Sequence, residues 1–255
     1  MGRPRESSGL AGEAYVTVRE RILRGELAIG QVISRRKLAA ELGMSFLPVS
    51  EALLQLEHEG LLESSPRAGT RVRVPTRQDV RGHYIVREAL EVQAAVLFCS
   101  GATPGERAEL QKLAARVDAL SVQAEVNRFV YLNLHEKLHR RIAECSRCPA
   151  LCDAIRKTAA LASTWLCATR KPASDHPPRR HQDLLEVLVG SDPAAAAEAM
   201  REHIQSSRER TIERLEPYFR MRKKHAATYS RAAKNDLALD TLTHPADEAA
   251  DTVIA

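Results

Sequence analysis

The chain has 255 residues, 44% hydrophobic and 28% charged, with a net charge of +5 at pH 7. That length holds one large or two modest cores, and the balance is that of a soluble globular protein. Only 4% aromatic residues with abundant Ala, Leu, Glu and Arg favour helix, and a charge of +5 permits a polyanion partner without demanding one.

Residues 1–12 are polar and lack the apolar core of a signal peptide, so they read as a disordered leader. No stretch is long and apolar enough to cross a bilayer, which predicts a cytoplasmic protein with no membrane partner. Five cysteines, an odd count, predict reduced thiols rather than a disulfide framework.

Tyr15, Val18, Ile22 and Leu23 repeat at helical spacing up to Gly25, and Leu27 to Gly30 is a connector. Leu38, Ala39 and Leu42 share a face of a second helix that Gly43 stops, because glycine tolerates the left-handed backbone of a sharp turn. Ser45 is placed to cap the next helix, and Pro48 falls early enough not to break it. Val49, Ala52, Leu53 and Leu56 continue that helix to Gly60. Ser65 to Gly69 is turn chemistry, and Thr70-Arg71-Val72-Arg73-Val74 alternates as a half-buried strand with a basic outer face. A helix, a tight turn, a helix and a two-stranded wing over residues 13–75 make a winged helix-turn-helix.

From residue 79 the pattern is helical, with helices expected near 79–100, 105–121, 123–145, 149–170, 179–190 and 193–215. Asp192-Pro193 is a strong start: a capping side chain, then proline in the first turn. The fold class is therefore mainly α: a winged module followed by an all-α bundle over residues 79–217, with residues 218–255 read as a flexible tail.

The chain resembles the GntR family of bacterial transcription factors, and within it the FadR subfamily. The likeness is carried by Leu38-Ala39-Ala40-Glu41-Leu42-Gly43-Met44-Ser45, Pro48-Val49, Glu51-Ala52-Leu53, Leu56-Glu57, Glu59-Gly60-Leu61-Leu62 and the wing Pro66 to Val72. The bundle resembles that subfamily's FCD ligand-binding domain through Arg87-Glu88-Ala89-Leu90-Glu91, Leu138-His139, Cys148-Pro149, His181 and His203. The resemblance implies a homodimer on double-stranded operator DNA, an inverted repeat, regulated by a small carboxylate metabolite and commonly by relief of repression.

By that resemblance Arg36 falls on a family DNA contact, and Arg35, Ser45, Phe46, Leu47, Ser50, Arg67, Gly69 and Arg71 complete the candidate DNA face. Two departures stand out: Phe46 and Ser50 occupy positions that are usually basic. Phe46 and Leu47 have two readings, contact with thymine methyl groups or packing between the two helices. Each arginine is likewise either a phosphate contact or a solvated charge, and the module as a whole could serve protein rather than DNA.

His135 and His139 lie four apart in an expected helix, so their rings can share one ion. The resemblance implies that His139, His181 and His203 are metal ligands, and His135 stands where the family usually has Asp. The competing reading of any one of them is a satisfied core histidine. An all-imidazole set suits Zn or Ni, then Fe or Cu, and suits Mg or Ca poorly. Arg87 matches a residue facing the effector cavity, where it would clamp a carboxylate; the alternative is an exposed charge paired with Glu91.

Cys145, Cys148 and Cys152 tempt a metal or redox reading, but cysteine is a common small core residue and the structural reading is preferred. Cys99 and Cys167 have no partner pattern; His58, His83, His176, His225 and His244 read as surface or loop positions. Three functions remain: a ligand-responsive regulator, a metal sensor in which the ion is the signal, and a helical-bundle metalloenzyme. Against the last, no motif places a carboxylate as general base beside the histidines.

Overall fold

The computed structural model describes residues 5–65, 69–121, 128–168 and 178–243. It divides into two compact units, Met1–Leu215 and Glu216–Ala255. The first contains both the winged module and the bundle.

The winged module is built from α1 (Arg5–Leu23), β1 (Val32–Ile33), α2 (Arg35–Leu42), α3 (Phe46–His58), β2 (Leu62–Ser65) and β3 (Gly69–Val72). Helix α1 already begins at Arg5, inside the segment expected as a leader. Ala14, Val18 and Ile22 of α1 pack with Leu38 and Ala39 of α2 and with Val49, Ala52, Leu53 and Leu56 of α3. Ser34 caps α2 by accepting from the Lys37 amide, and Gly43 closes it at φ 63, where an added Cβ would be strained. Ser45 occupies the N-cap position of α3 but makes no side-chain capping bond, which corrects the capping role expected of it. Its backbone is extended, so position and conformation suffice for the turn while the hydroxyl stays available.

The wing has three strands, not two. β3 lies between β1 and β2, antiparallel to both, with Val32 opposite Arg71 and Leu62 opposite Val72. The extra strand has only two residues, too few for periodicity to reveal. Thr70 and Val72 are buried and Arg71 alternates outward as expected, but β3 ends at Val72, so Arg73 and Val74 lie beyond the strand expected to include them.

The bundle comprises α4 (Arg77–Gly101), α5 (Pro104–Ser121), α6 (Arg128–Cys145), α7 (Pro149–Ala168), α8 (Arg180–Leu188) and the part of α9 (Pro193–Thr243) up to Leu215. A capping box between Thr76 and Asp79 starts α4, and the Asp192 side chain accepts from the amides of Ala194 and Ala195 to start α9. Helix α9 continues to Thr243, past Pro217, where the sequence pattern decays. Proline removes one backbone donor, yet the helix is kept on both sides of it.

Within the first unit the winged module rests on the bundle. Leu23 of α1 packs with Leu132 and Tyr131 of α6, Arg19 pairs with Glu136 at 3.3 Å, and Leu161 of α7 packs against the winged core. Gly60, at φ 79, sits where an added Cβ would lie 3.6 Å from Leu161. Among the described residues no helix is long and apolar enough to cross a membrane.

Candidate metal centre and nucleic-acid interface

Three helices of the bundle bring four imidazoles together. Helix α6 buries Leu132, His135, Leu138, His139 and Ile142, a stripe at three- and four-residue spacing that puts both histidines inward. His181 comes from the first turn of α8, and His203 from α9 between the core residues Met200 and Ile204. All four are buried, and one ligand nitrogen from each lies within 4.8 Å of the others. Neighbouring ring centroids are 4.6 Å apart for His135 and His139 and 5.1 Å for His181 and His203.

The far side of two of these rings is held by carboxylates. Glu91 Oε2 of α4 lies 2.5 Å from His139 Nδ1, and Asp118 Oδ1 of α5 lies 2.6 Å from His181 Nδ1. Each Nδ1–H that donates to its carboxylate leaves the lone pair on Nε2, aimed into the cluster. Nε2 of His139, His181 and His203 are all buried without a hydrogen-bond partner. Three orphaned acceptors converging on one point are costly unless something accepts their lone pairs, and a divalent transition ion fits that need.

Burial disfavours the charged form of His135, His181 and His203. Burial, then the neighbouring imidazoles, push His135 well below its ordinary pKa; burial and Arg180 do the same to His203. Burial brings His181 down to about 4, against the opposing pull of Asp118. Burial works against the Glu91 charge too, but Arg87 and His139 hold its carboxyl at about 2.

Arg87 is not an exposed helix charge. It is buried, with Nε and Nη2 both on Glu91 Oε1 at 2.8 and 2.7 Å, and its guanidinium lies 5.1 Å from the Tyr84 ring centre. The pairing with Glu91 is present and the exposure is not: Arg87 reaches the cluster through Glu91 and His139. Residue reasoning missed Asp118, Tyr131, Arg180, Arg210 and Arg214. A buried Asp at the inward register of α5, after Leu110, Leu113, Ala114 and Val117, is the one signal that would have found Asp118.

On the DNA side, Phe46 and Leu47 are 52% and 60% exposed at the start of α3, so they do not pack between the helices. Arg36 and Lys37 are exposed at the start of α2. Arg35 donates to Thr70 Oγ1 at 3.0 Å and ties α2 to the wing, and Arg71 pairs with Glu63 across the strands at 2.7 Å. Ser50 Oγ is buried without a partner, and Gly69 opens β3. Arg67 lies outside the described residues.

His83 is in α4 rather than a loop, its Nε2 buried and its ring 5.0 Å from Trp165. His58 is exposed in the last turn of α3, while His176, His244 and the side chains of His225 and Cys167 lie outside the described residues. Cys152 donates to the Ala143 carbonyl, and burial raises the thiols of Cys145 and Cys152, which suits packing rather than reactivity.

Residues 10–72 match the model of the bacterial regulatory proteins of the gntR family, and residues 83–206 match the FCD domain. The chain is 28% identical over 72% of its length to a probable D-xylose utilization operon transcriptional repressor of Paenarthrobacter nicotinovorans, covering 80% of that protein. It is 24% identical over 76% of its length to the HTH-type transcriptional repressor RspR of Escherichia coli, covering 85% of it. Among solved structures, E. coli McbR/YncC superposes with a TM-score of 0.63 at 23% identity, over 80% of this chain and 97% of that one. A GntR regulator of Rhodococcus sp. RHA1 gives 0.66 at 20%, over the same shares, and both share the fold. A winged helix-turn-helix matching the gntR model joined to a bundle matching the FCD model, a build shared with these regulators, places the chain in the GntR family as a DNA-binding transcriptional regulator and not an enzyme.

Proposed function

We propose that the chain is a ligand-responsive repressor of the FadR type, acting as a homodimer on an inverted-repeat operator. In this reading His135, His139, His181 and His203 hold a divalent transition ion, Zn or Ni foremost, and a small carboxylate metabolite binds beside it and alters DNA affinity. The observation that carries the reading is the convergence of three buried, unpartnered Nε2 atoms, two of them on rings held from behind by carboxylates. When bound, the ion would supply a fixed positive charge that attracts the metabolite's carboxylate.

Glu91 and Asp118 orient their imidazoles, and Arg87 keeps Glu91 ionised. Helix α6 offers a route to the DNA-binding module, because His135 and His139 share it with Leu132 and Glu136, the residues that touch α1. Coupling requires two arrangements of that contact with different effector affinity. On the DNA face, Arg36, Lys37 and the α3 start with Phe46 and Leu47 are the groups presented, and Arg35 braces the wing.

The test is metal analysis of the purified chain together with binding to DNA flanking its own gene. Retained metal that is lost in His139→Ala, along with metal-induced thermal stabilisation, supports the reading; equal metal content in variant and parent refutes it. A metal that survives dialysis is a fixture, whereas one that leaves at micromolar levels is the signal itself.

A further inference from the structure

Helix α9 presents His203, Ser207, Arg210 and Arg214 at steps of four, three and four residues, a single stripe along one face. Its character changes along its length. His203 belongs to the imidazole cluster, and about 10 Å further along the axis the stripe turns cationic. Nη2 of Arg210 and Nη2 of Arg214 are both buried without a hydrogen-bond partner.

Arg180, from the first turn of α8, joins this group and donates to the His203 carbonyl at 2.8 Å and to the Ser207 hydroxyl. Among the described residues no carboxylate pairs with Arg180, Arg210 or Arg214, and Glu209, next in sequence to Arg210, is exposed. Burial and Arg214 lower Arg210. The Tyr131 hydroxyl feels all three arginines, and its ring centre is 5.8 Å from that of His135, which links this end to the imidazoles.

Like charges held together and half buried, with donor hydrogens left unused, cost free energy unless an anion sits among them. The buried charged residues on this side of the bundle are Arg87, Glu91 and Asp118, and the half-buried Arg180, Arg210 and Arg214 add three positive charges to them. That is an excess of two positive charges before any ion is added. Guanidinium forks match carboxylate and phosphate oxygens, whereas the imidazole end offers only single nitrogens.

We propose that Arg180, Arg210 and Arg214 form a second anion-binding subsite, so that the effector carries two anionic groups a few carbons apart. One lies at the imidazole end, and the other, a carboxylate or a phosphate, lies among the arginines. The inference rests on the reading of the bundle as an effector chamber and narrows the class of compound it takes.

Calorimetric titration of the full, metal-loaded chain with acetate, succinate and 3-phosphoglycerate at matched ionic strength tests it. Succinate or 3-phosphoglycerate is expected to bind at least about tenfold more tightly than acetate. Whichever is tighter identifies the group held by the arginines. The Arg210→Gln, Arg214→Gln double variant is expected to lose that advantage while keeping its metal content. Equal affinity for all three compounds in the unmodified chain overturns the proposal without recourse to any variant, and so does an undiminished advantage in the double variant. A chain that retains no metal yet prefers the compounds with two anionic groups through these arginines overturns the metal reading and supports the subsite.

Discussion

Asp118 grips His181 from behind. Its Oδ1 meets Nδ1 at 2.6 Å, and its two oxygens also accept from the backbone amides of His181 and Gln182 at about 3 Å. One carboxylate thus anchors the first turn of α8 and sets which ring nitrogen faces the cluster. Such partners typically account for about 10- to 100-fold in metal affinity. Asp118→Ala is therefore expected to weaken metal retention by that factor, measured by competition with a chromogenic chelator. Unchanged competition would show that His181 needs no anchor.

Arg87 and Glu91 are both buried, at 5% and 3% exposure, and each is the other's main counter-charge. Removing one leaves the other stranded, which costs about 3–5 kcal/mol for a buried pair. Arg87→Met should lower stability by about that amount in urea denaturation, and the double variant Arg87→Met, Glu91→Leu should recover part of the loss.

Phe46 and Leu47 are exposed, so Phe46→Ala should change folding stability by no more than about 0.5 kcal/mol. Its effect should appear on DNA, as lost preference for one or two base pairs. Arg36→Gln should act differently: affinity falls on all sequences alike, and the salt slope drops by about one. Titrations at several salt concentrations on operator and random DNA separate the two.

Burial pushes His83 down to about 4, with Arg87 adding to the shift. An unfolded histidine takes its proton near pH 6.5, while this folded one refuses it until about 4. Between those values only the unfolded chain gains the proton, so stability falls as the pH is lowered through that window. Above pH 6.5 both states are neutral and the effect vanishes. His83→Gln should flatten this part of the stability profile relative to the parent; parallel profiles would mean that His83 does not contribute to it.

Contact between α1 and α6 joins the two halves of the first unit, with Leu23 on Leu132 and Arg19 on Glu136. Glu136→Gln, combined with Leu132→Ala, should leave metal content intact and reduce the change in DNA affinity that an effector produces. Full response in that variant would send the coupling through another surface, such as Leu161 on the winged core.

The winged module was legible from residues alone because its signals are local. Gly43 at a left-handed turn, the α3 repeat of Val49, Ala52, Leu53 and Leu56, and the alternation through Thr70 and Val72 each report on a few neighbours along the chain. The pair His135 and His139 was legible for the same reason, one helical turn. Local rules misjudged the ends: two-residue β1 was invisible, and the decay of pattern near Pro217 did not end α9.

What pairs with what was decided by packing. Glu91 and Asp118 stand 48 and 63 residues from the histidines they hold, and nothing in a helical repeat marks one acidic residue as a partner for a distant ring. The burial of Arg87 and the gathering of Arg180, Arg210 and Arg214 depend in the same way on which faces of α4, α8 and α9 turn inward together. Periodicity tells which side of a helix is dry. Only the assembled bundle tells which charges must share that dryness, and hence what kind of guest they can accept.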